Sequence, residues 1–293
     1  MNTTKSAEIC CIGHITRDKV ITPKFEADMP GGSAYYFAKA LSEFEDASFR
    51  LITSVGADNL KVVDELKKEG IDVEVFPGAN SVYFVNKYAD NMADRTQRVL
   101  AKADPFTVEK LQDAEAKFFH LGTLLADDFP IEVLKYLSKK GIVAVDIQGY
   151  LREVRGDEVY HIDFDLKREA MPYIHILKAN EVEMEVLTGE TDPYKAAEVL
   201  AEWGCKEVLL TLGEKGSLIY AEGNFYEIPA FQVDEVVDTT GCGDTYMAGY
   251  LYMRNKGASY KDAGTFAAAM CTLKLQNKGP FSGPVKDIEA LIK

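Results

Sequence analysis

Asp238-Thr239-Thr240-Gly241-Cys242-Gly243-Asp244 is the stretch of sequence that decides the fold. Its two glycines let a ligand approach the backbone, and the apolar residues that follow over 246–253 recur near every 3.6 positions, as in a helix. The N–H groups of Gly241, Cys242 and Gly243 would then lie at a helix N-terminus, where unpaired donors and the helix dipole attract anions. The stretch therefore predicts an anion-binding turn that opens a helix.

Asp244 places a carboxylate in the first turn of this predicted helix. Such a carboxylate can be a simple partner of the helix dipole. It can also be a general base held beside an anion site, as phosphoryl transfer to a hydroxyl requires. The spacing alone supports the two interpretations equally.

The order of residues favours the second interpretation. The run 238–244, followed by Ala248-Gly249, closely resembles the C-terminal signature of the ribokinase-type (PfkB) carbohydrate kinases. Cys242 stands where that family usually has Ala or Ser, and it is small enough to keep the backbone donor. The resemblance implies that Asp244 is the catalytic base and that Gly241, Cys242 and Gly243 stabilise the transferred phosphoryl group.

The resemblance extends over nearly the whole chain, because four motifs occur in the family's order. They are Gly31-Gly32, Asn180 with Glu183, residues 211–216 and residues 238–244. It implies a ribokinase-like fold with a small β-sheet lid, ATP as phosphoryl donor and Mg²⁺ as cofactor.

Composition and charge exclude several other classes of protein. The 293 residues are 47% hydrophobic and 27% charged, which is typical of a soluble globular protein. A net charge of −14 argues against nucleic acid as a partner. We expect no membrane span or leader. Five cysteines without a CxxC pair and four histidines without metal-binding spacing predict a reduced, cytoplasmic protein without zinc.

The hydrophobic pattern predicts strands that alternate with helices. Predicted strands lie at 8–15, 16–22, 49–56, 71–76, 81–88, 95–100, 117–121, 142–147, 173–178, 207–212, 217–221 and 225–229. Predicted helices lie at 34–44, 59–69, 128–139, 181–188, 193–203, 243–254 and 260–276. We therefore expect one α/β domain over 1–293, with a central, mostly parallel sheet flanked by helices on both faces. Lid segments are expected at approximately 14–30 and 81–103.

Candidate acceptor-binding residues follow the first predicted strand. Gly31-Gly32 can cradle a ligand or simply connect a loop to a helix, and Asp18 can bind two hydroxyls or be an exposed loop charge. The resemblance implies that both glycines line the sugar pocket and that Asp18 holds two sugar hydroxyls. Tyr36 departs from the family, which usually has Asn there, so the acceptor site differs from a furanose site.

A second candidate acceptor contact follows the predicted strand 142–147. Asp146 lies at its carboxyl end, where ligands bind in parallel sheets. Arg152, a few residues later, could clamp a phosphate with two hydrogen bonds. A solvated helix start explains this stretch equally well.

Asn180 and Glu183 lie three residues apart at the start of a predicted helix. That spacing is typical of a capping box. The resemblance implies instead that Asn180 contacts the phosphates and that Glu183 helps to order Mg²⁺. A single carboxylate acting partly through water suits a cation that keeps most of its waters.

Two further glycine-containing stretches are candidate nucleotide contacts. Thr211, Gly213 and Gly216 form Thr-x-Gly-x-x-Gly, which is either a nucleotide-binding loop or an ordinary hairpin turn; no Walker A motif is present. The stretch 278–284 is by itself a Gly-Pro helix stop. The resemblance implies that Thr211, Gly213 and Gly216 contact the nucleotide, that Gly279 and Ser282 flank the adenine, and that Asp238 helps to bind a monovalent cation such as K⁺.

These observations predict an ATP-dependent kinase that acts on a hydroxyl of a small sugar or polyol. Tyr36, the run 94–100, Asp104-Pro105 and Asp146-Ile147-Gln148 resemble the myo-inositol kinase branch of the family. The alternatives are a nucleoside kinase of the same fold and a non-catalytic sugar or nucleotide sensor. A dinucleotide-binding oxidoreductase has less support, because no G-x-G-x-x-G follows the first strand. Exposed lid strands could also pair two subunits into a homodimer.

Overall fold

The computed structural model describes residues 7–23, 26–88, 95–233 and 235–293. Parts of both predicted lid segments, residues 24–25 and 89–94, lie outside the described residues. The strands are β1 (Ala7–Gly13), β2 (Thr16–Ile21), β3 (Glu26–Gly31), β4 (Phe49–Val55), β5 (Val73–Pro77), β6 (Tyr83–Tyr88), β7 (Arg95–Ala101), β8 (Ala116–Gly122), β9 (Ile142–Asp146), β10 (Arg152–Arg155), β11 (Glu158–His161), β12 (Ile176–Asn180), β13 (Glu207–Thr211), β14 (Ser217–Ala221) and β15 (Asn224–Ile228). The helices are α1 (Ser33–Ser42), α2 (Leu60–Lys68), α3 (Ile131–Leu137), α4 (Lys167–Ala170), α5 (Glu181–Thr188), α6 (Pro193–Glu202), α7 (Cys242–Asn255), α8 (Tyr260–Leu275) and α9 (Val285–Ile292).

The described residues form a large sheet of nine strands in the order β15-β14-β13-β12-β9-β8-β1-β4-β5. The strands from β13 to β5 run parallel, and β14 and β15 add an antiparallel edge. Side chains alternate between the two faces of a strand, so Ile9 and Cys11 of β1 join one apolar core and Cys10 and Ile12 the other. Strands buried on both faces explain the unbroken apolar runs in the sequence.

Helices cover both faces of this sheet, which confirms the predicted fold class. The core that contains Ile9 also holds buried residues of α1, α2, α7, α8 and α9, and the other core holds those of α3, α5 and α6. No helix in the described part of the chain is both long and apolar enough to cross a membrane.

The helix that follows the decisive turn is more deeply buried than its sequence suggests. The periodicity predicts one apolar face, but α7 is buried without interruption from Asp244 to Tyr252. It packs against α1 and α8 and against strands of the main sheet. A helix enclosed on nearly all sides holds its N-terminus firmly in place.

Within the described ranges, a smaller sheet of six strands, in the order β10-β11-β7-β6-β2-β3, forms the lid. Its β2, β6 and β7 were predicted as strands, whereas β3, β10 and β11 were not. The chain over β3 pairs with β2 as far as Gly31, and helix α1 begins at Ser33, one residue before the predicted start. The sequence of β3 contains two acids, a proline and a glycine, and such residues are rare in strands.

Candidate active site

A cavity of about 710 Å³ lies at the carboxyl ends of the main-sheet strands, beneath the lid. It is lined by strand-end residues of the main sheet, by the 239–244 turn and by lid side chains. The predicted site residues that line it are Asp18, Gly32, Tyr36, Asp146, Arg152, Asn180, Glu183, Thr211, Gly241, Cys242, Gly243 and Asp244. One cavity therefore gathers residues that are more than 200 positions apart in the chain.

The turn requires glycine at two positions for reasons of packing. Gly241 is the N-cap of α7 and adopts a left-handed conformation with φ of 76°. A Cβ atom there would overlap the ring of Tyr36, and one at Gly243 would lie 2.7 Å from Nζ of Lys178. Both glycines thus let large side chains approach the backbone at the floor of the cavity, which consists of the 239–244 turn, Lys178 and Asp146.

The turn differs from prediction in one hydrogen bond. We expected the N–H of Cys242 to be unpaired, but it donates to the carbonyl oxygen of Thr239 at 3.2 Å. That bond closes the turn before the helix begins. Of the three predicted anion-binding donors, Gly241 and Gly243 are therefore the two that remain candidates.

Asp244 lies in the first turn of α7 with only 8% of its surface exposed. Its Oδ1 accepts a 2.5 Å hydrogen bond from Oγ of Ser33, at the start of α1. Burial is the main cause that raises the pKa of Asp244 to about 6, and repulsion from Asp146 adds to it; Ser33 and the positive charges of Lys178 and Arg152 oppose the shift. Asp244 is thus a carboxylate that changes protonation state near neutral pH.

Lys178 is a cavity residue that the sequence analysis missed. Its Nζ lies 2.5 Å from Oδ2 of Asp146, and both side chains are almost completely buried. The two residues are register partners on adjacent parallel strands, β12 and β9. Burial favours the neutral amine, but the negative charge of Asp146 and other carboxylates prevails and raises the pKa of Lys178. A single lysine within an apolar strand is the feature of the sequence that could have indicated this buried, paired charge.

Asn180 and Glu183 form a complete capping box at the start of α5. Oδ1 of Asn180 accepts from the N–H of Glu183 at 2.9 Å, and Oε2 of Glu183 accepts from the N–H of Asn180 at 2.8 Å. Burial and then repulsion from Asp146 raise the pKa of Glu183. The other oxygen, Oε1, is the one that a cation could bind. A hydrated Mg²⁺ fits this arrangement, since it needs few protein ligands.

No group of three or more His, Cys, Asp or Glu side chains comes together as a metal site within the described ranges.

The lid contributes polar side chains to the opposite side of the cavity. Asp18 on β2 accepts a 2.6 Å hydrogen bond from Oγ1 of Thr16. Gly31 on β3 lies opposite Thr16, and a Cβ atom there would overlap the Asp18 carboxylate. Gly31 therefore lies against Asp18 but is absent from the cavity lining itself. Nε2 of Gln97 donates to Oδ1 of Asn86 at 2.9 Å, which places an amide pair from β6 and β7 in the cavity.

Gly32 and Tyr36 lie where the lid strand β3 leads into α1, next to the floor of the cavity. Gly32, with φ of 92°, is the N-cap of α1, and a Cβ atom there would overlap the carbonyl oxygen of His14. Tyr36 follows on α1 and packs its ring against Gly241 with 5% of its surface exposed. Tyr36 therefore supports the turn as well as lining the cavity.

Arg152 begins β10 in the lid and lines the cavity, so it does not belong to a solvated helix start. The neighbouring residues 147–151 form a short 3-10 helix at the end of β9, and Gln148 from that helix also lines the cavity. Arg152 and Asp146 thus reach the same space from different sheets.

The remaining predicted nucleotide contacts lie outside the cavity lining. Gly213 is exposed after β13, and Gly216 adopts φ of 94° against the carbonyl oxygen of Ile228, where only glycine fits. The hairpin alternative therefore accounts for Gly216. Gly279 donates its N–H to Oδ2 of Asp238 at 3.0 Å, and Ser282 is exposed nearby in sequence.

The two-sheet α/β architecture with a β lid is that of ribokinase-like proteins, as comparison with solved structures confirms. The chain matches the family model described as pfkB family carbohydrate kinase over residues 6–287. It therefore belongs to the PfkB family of carbohydrate kinases, whose members transfer a phosphoryl group to a sugar or nucleoside.

The relatives that are similar to the chain include a cytidine kinase and a pyrophosphate-dependent kinase. A cytidine kinase from Thermococcus kodakarensis is 32% identical over 260 residues, which covers 85% of this chain and 89% of that protein. A pyrophosphate-dependent kinase of the ribokinase family, solved as a sulfate complex, is 26% identical with a TM-score of 0.87, covering 96% of this chain and 99% of that one. A structure of such a kinase with a pyrophosphate analog and myo-inositol is 25% identical with a TM-score of 0.84 at the same coverage.

Proposed function

We propose that the chain transfers the γ-phosphoryl group of ATP to a hydroxyl of a small sugar or polyol. The observation that carries this proposal is the position of Asp244. It is a buried carboxylate with a pKa of about 6, in the first turn of α7, facing a cavity whose other wall bears Asp18. A base, an anion site and an acceptor-binding carboxylate are the parts that phosphoryl transfer to a hydroxyl needs.

Asp244 takes the proton from the attacking hydroxyl. A pKa of about 6 leaves most of the carboxylate ionised at neutral pH while keeping it basic enough to accept a proton. Ser33 donates to Oδ1, so that this oxygen is held and Oδ2 is available for the acceptor. Burial of α7 fixes the carboxylate, which favours a productive geometry.

The floor of the cavity stabilises the charge on the transferred group. The N–H groups of Gly241 and Gly243 and the positive end of α7 favour an anion at the turn. Lys178, next to Gly243, adds a full positive charge that is balanced by Asp146. Mg²⁺ held near Glu183 would neutralise phosphate charge when bound.

The lid selects the acceptor. Asp18 offers carboxylate oxygens to neighbouring hydroxyls, and the Asn86–Gln97 pair offers amide groups to further hydroxyls. A site of this kind disfavours substrates that lack those hydroxyls, because its buried polar groups would lose their partners. The predominance of polar lid side chains supports a polyol such as myo-inositol, which one structural relative binds.

A nucleoside acceptor is the second candidate, and two observations favour it. The relative from Thermococcus kodakarensis is named a cytidine kinase. Phe84 from the lid and Tyr36 also line the cavity, so that a base could pack against an aromatic ring. The amides of Asn86 and Gln97 could pair with a base as readily as with hydroxyls.

Pyrophosphate is an alternative to ATP as the phosphoryl donor. ATP is the family's donor, and Thr211, Gly213, Gly279 and Ser282 are the proposed nucleotide contacts. The structural relatives described above are named pyrophosphate-dependent. Assays that detect only ADP would therefore miss one of the two reactions.

One experiment tests acceptor and donor together. Purified protein with Mg²⁺ is given ATP or pyrophosphate in combination with myo-inositol, other polyols, hexoses, pentoses and nucleosides including cytidine. Phosphorylated acceptor is detected by ³¹P NMR and mass spectrometry, which is independent of the donor. We expect ATP with a polyol or sugar to give product, and Asp244→Asn to give almost none.

Other outcomes have definite meanings. Product only with cytidine or another nucleoside would replace the polyol by the second candidate, and product only with pyrophosphate would replace the donor. Binding of ATP without product from any acceptor in the panel would favour the sensor alternative. Full activity of Asp244→Asn would contradict the proposed mechanism.

A further inference from the structure

Lys274 is a buried lysine behind the catalytic turn for which the proposed mechanism gives no role. It lies in the last turn of α8, and its side chain is fully buried. Its Nζ lies 2.8 Å from the carbonyl oxygen of Asp238, 3.1 Å from Oδ2 of Asp238 and 3.5 Å from the carbonyl oxygen of Asn277. A buried ammonium needs such partners, because desolvation without them would be very unfavourable.

Asp238 is held in a surrounding that favours the charged carboxylate. Oδ1 accepts from the N–H of Thr240 at 2.9 Å, and Oδ2 accepts from the N–H of Gly279 at 3.0 Å. Partial burial alone would raise the pKa of Asp238, but these hydrogen bonds and the charge of Lys274 together lower it. The ammonium and the carboxylate therefore form a charged pair next to the turn.

The Lys274–Asp238 pair lies where the sequence predicted a monovalent cation at Asp238. A K⁺ ion would be bound by carboxylate and carbonyl oxygens, and here the carboxylate and carbonyl of Asp238 already contact an ammonium group. A second cation beside a buried ammonium would be repelled strongly at this short range. The residues present do not fit a monovalent cation at this carboxylate.

We propose that Lys274 is a built-in cation that replaces a monovalent ion, so that the enzyme works without K⁺. The ammonium belongs to a side chain of α8. At the end of α8, the carbonyl oxygen of Leu275 also accepts hydrogen bonds from the N–H groups of Val237 and Asp238. Together these contacts fix the segment that leads into the turn at Gly241. Lys274 is accordingly a positioning residue for the anion site.

The test compares the wild type with Lys274→Ala and Lys274→Met in chloride buffers of equal ionic strength. The cations are tetramethylammonium, Na⁺, K⁺ and NH₄⁺. Lys274→Ala removes the charge and leaves room for an ion, whereas Lys274→Met removes the charge and fills much of the room. Two readouts are taken: the thermal midpoint of unfolding, and kcat/KM with the acceptor and donor that give product in the panel of combinations.

In the wild type we expect neither readout to depend on the cation. Lys274→Ala should lose about a hundredfold in kcat/KM, the effect of misplacing a catalytic group by about 1 Å. K⁺ and NH₄⁺, which are similar in size, should restore much of that loss and raise the thermal midpoint, whereas tetramethylammonium should not. Lys274→Met should resist restoration.

The activity readout rests on the proposed kinase function, but the unfolding readout does not. A K⁺-specific rise in the thermal midpoint or in turnover of the wild type would overturn the proposal even if Lys274→Ala failed to fold. Full activity of Lys274→Ala without K⁺ would overturn it too. If no acceptor were phosphorylated, the kinase proposal would fail, and the ion dependence of unfolding would still decide the role of Lys274.

Discussion

The floor and the lid of the cavity are built from different kinds of structure. The floor consists of the 239–244 turn, Lys178 and Asp146. Its charged side chains are buried: Lys178 is paired with Asp146, and Asp244 accepts a hydrogen bond from Ser33. The lid presents Asp18, Asn86 and Gln97 from short strands whose other face is partly exposed. The difference indicates that the floor carries the reaction, which needs fixed charges, and that the lid carries the choice of acceptor.

Physical chemistry supports this division of roles. Buried charges at the floor depend on each partner, because removing one leaves the other uncompensated in a medium where water is scarce. The lid side chains Asp18 and Gln97 are only partly buried, so replacing either should remove a hydrogen bond to the substrate with little disturbance of the fold. Floor variants should therefore lower kcat for every acceptor, and lid variants should change KM and specificity.

The largest effect should come from Asp244→Asn. Losing the general base should lower kcat by about a thousandfold, within the range of about 10²–10⁴ that general acid–base catalysis contributes. The loss should be the same for every acceptor that the wild type phosphorylates. Single-turnover and steady-state rates across the acceptor panel measure it.

Asp287→Asn is the matched control for this variant. Asp287 also lies in the first turn of a helix, α9, but it is exposed. We expect wild-type kcat for Asp287→Asn, and an unchanged circular dichroism spectrum for both variants. A loss in Asp244→Asn that varied widely between acceptors would break the comparison, since the floor would then also select substrates.

The next effect concerns the lid. Asp18→Asn should raise KM for the acceptor and lower kcat/KM by roughly 10- to 100-fold, because hydrogen bonds to a charged group contribute about 1.5–3 kcal/mol. The affinity for the donor should stay unchanged. Initial rates measured at varied acceptor and donor concentrations separate the two.

Asp28→Asn serves as the control for Asp18→Asn, because Asp28 is an exposed carboxylate on the adjacent lid strand β3. It should behave as the wild type. If Asp18→Asn lowered kcat without changing KM, Asp18 would act in the chemical step and the proposed division between lid and floor would be wrong.

The pH dependence should reflect the floor alone. Asp244 must be ionised to act as a base, so kcat/KM should fall about tenfold per pH unit as the pH drops below the pKa of about 6. Lys178 favours the ionised form, so Lys178→Met should raise that pKa and move the acid limb to higher pH. Asp18→Asn should leave the limb in place, and pH–rate profiles of the three proteins check this.

The sequence predicts the floor better than the lid, for identifiable reasons. Main-sheet strands are continuous apolar runs, and the 238–244 signature lies in one stretch. By contrast, β10 and β11 are short and charged, so their composition does not distinguish them from loops. The pairing of Lys178 with Asp146 depends on β12 lying beside β9, which is a property of strand order and is not written in local sequence.

The smallest effect, and the sharpest for the comparison, should come from Asn86→Leu. One neutral hydrogen bond contributes about 0.5–1.5 kcal/mol, so its loss should lower kcat/KM for a fully hydroxylated acceptor only about two- to tenfold. Discrimination against the matching deoxy acceptor should fall by the same factor, because that acceptor lacks the hydroxyl concerned.

Lys87→Ala, on the same strand but exposed, should change neither value, since neighbouring side chains on a strand point to opposite faces. An equal loss for both acceptors would mean that Asn86 supports the lid without reading a hydroxyl, and selection would then have to be assigned to Asp18 and the floor.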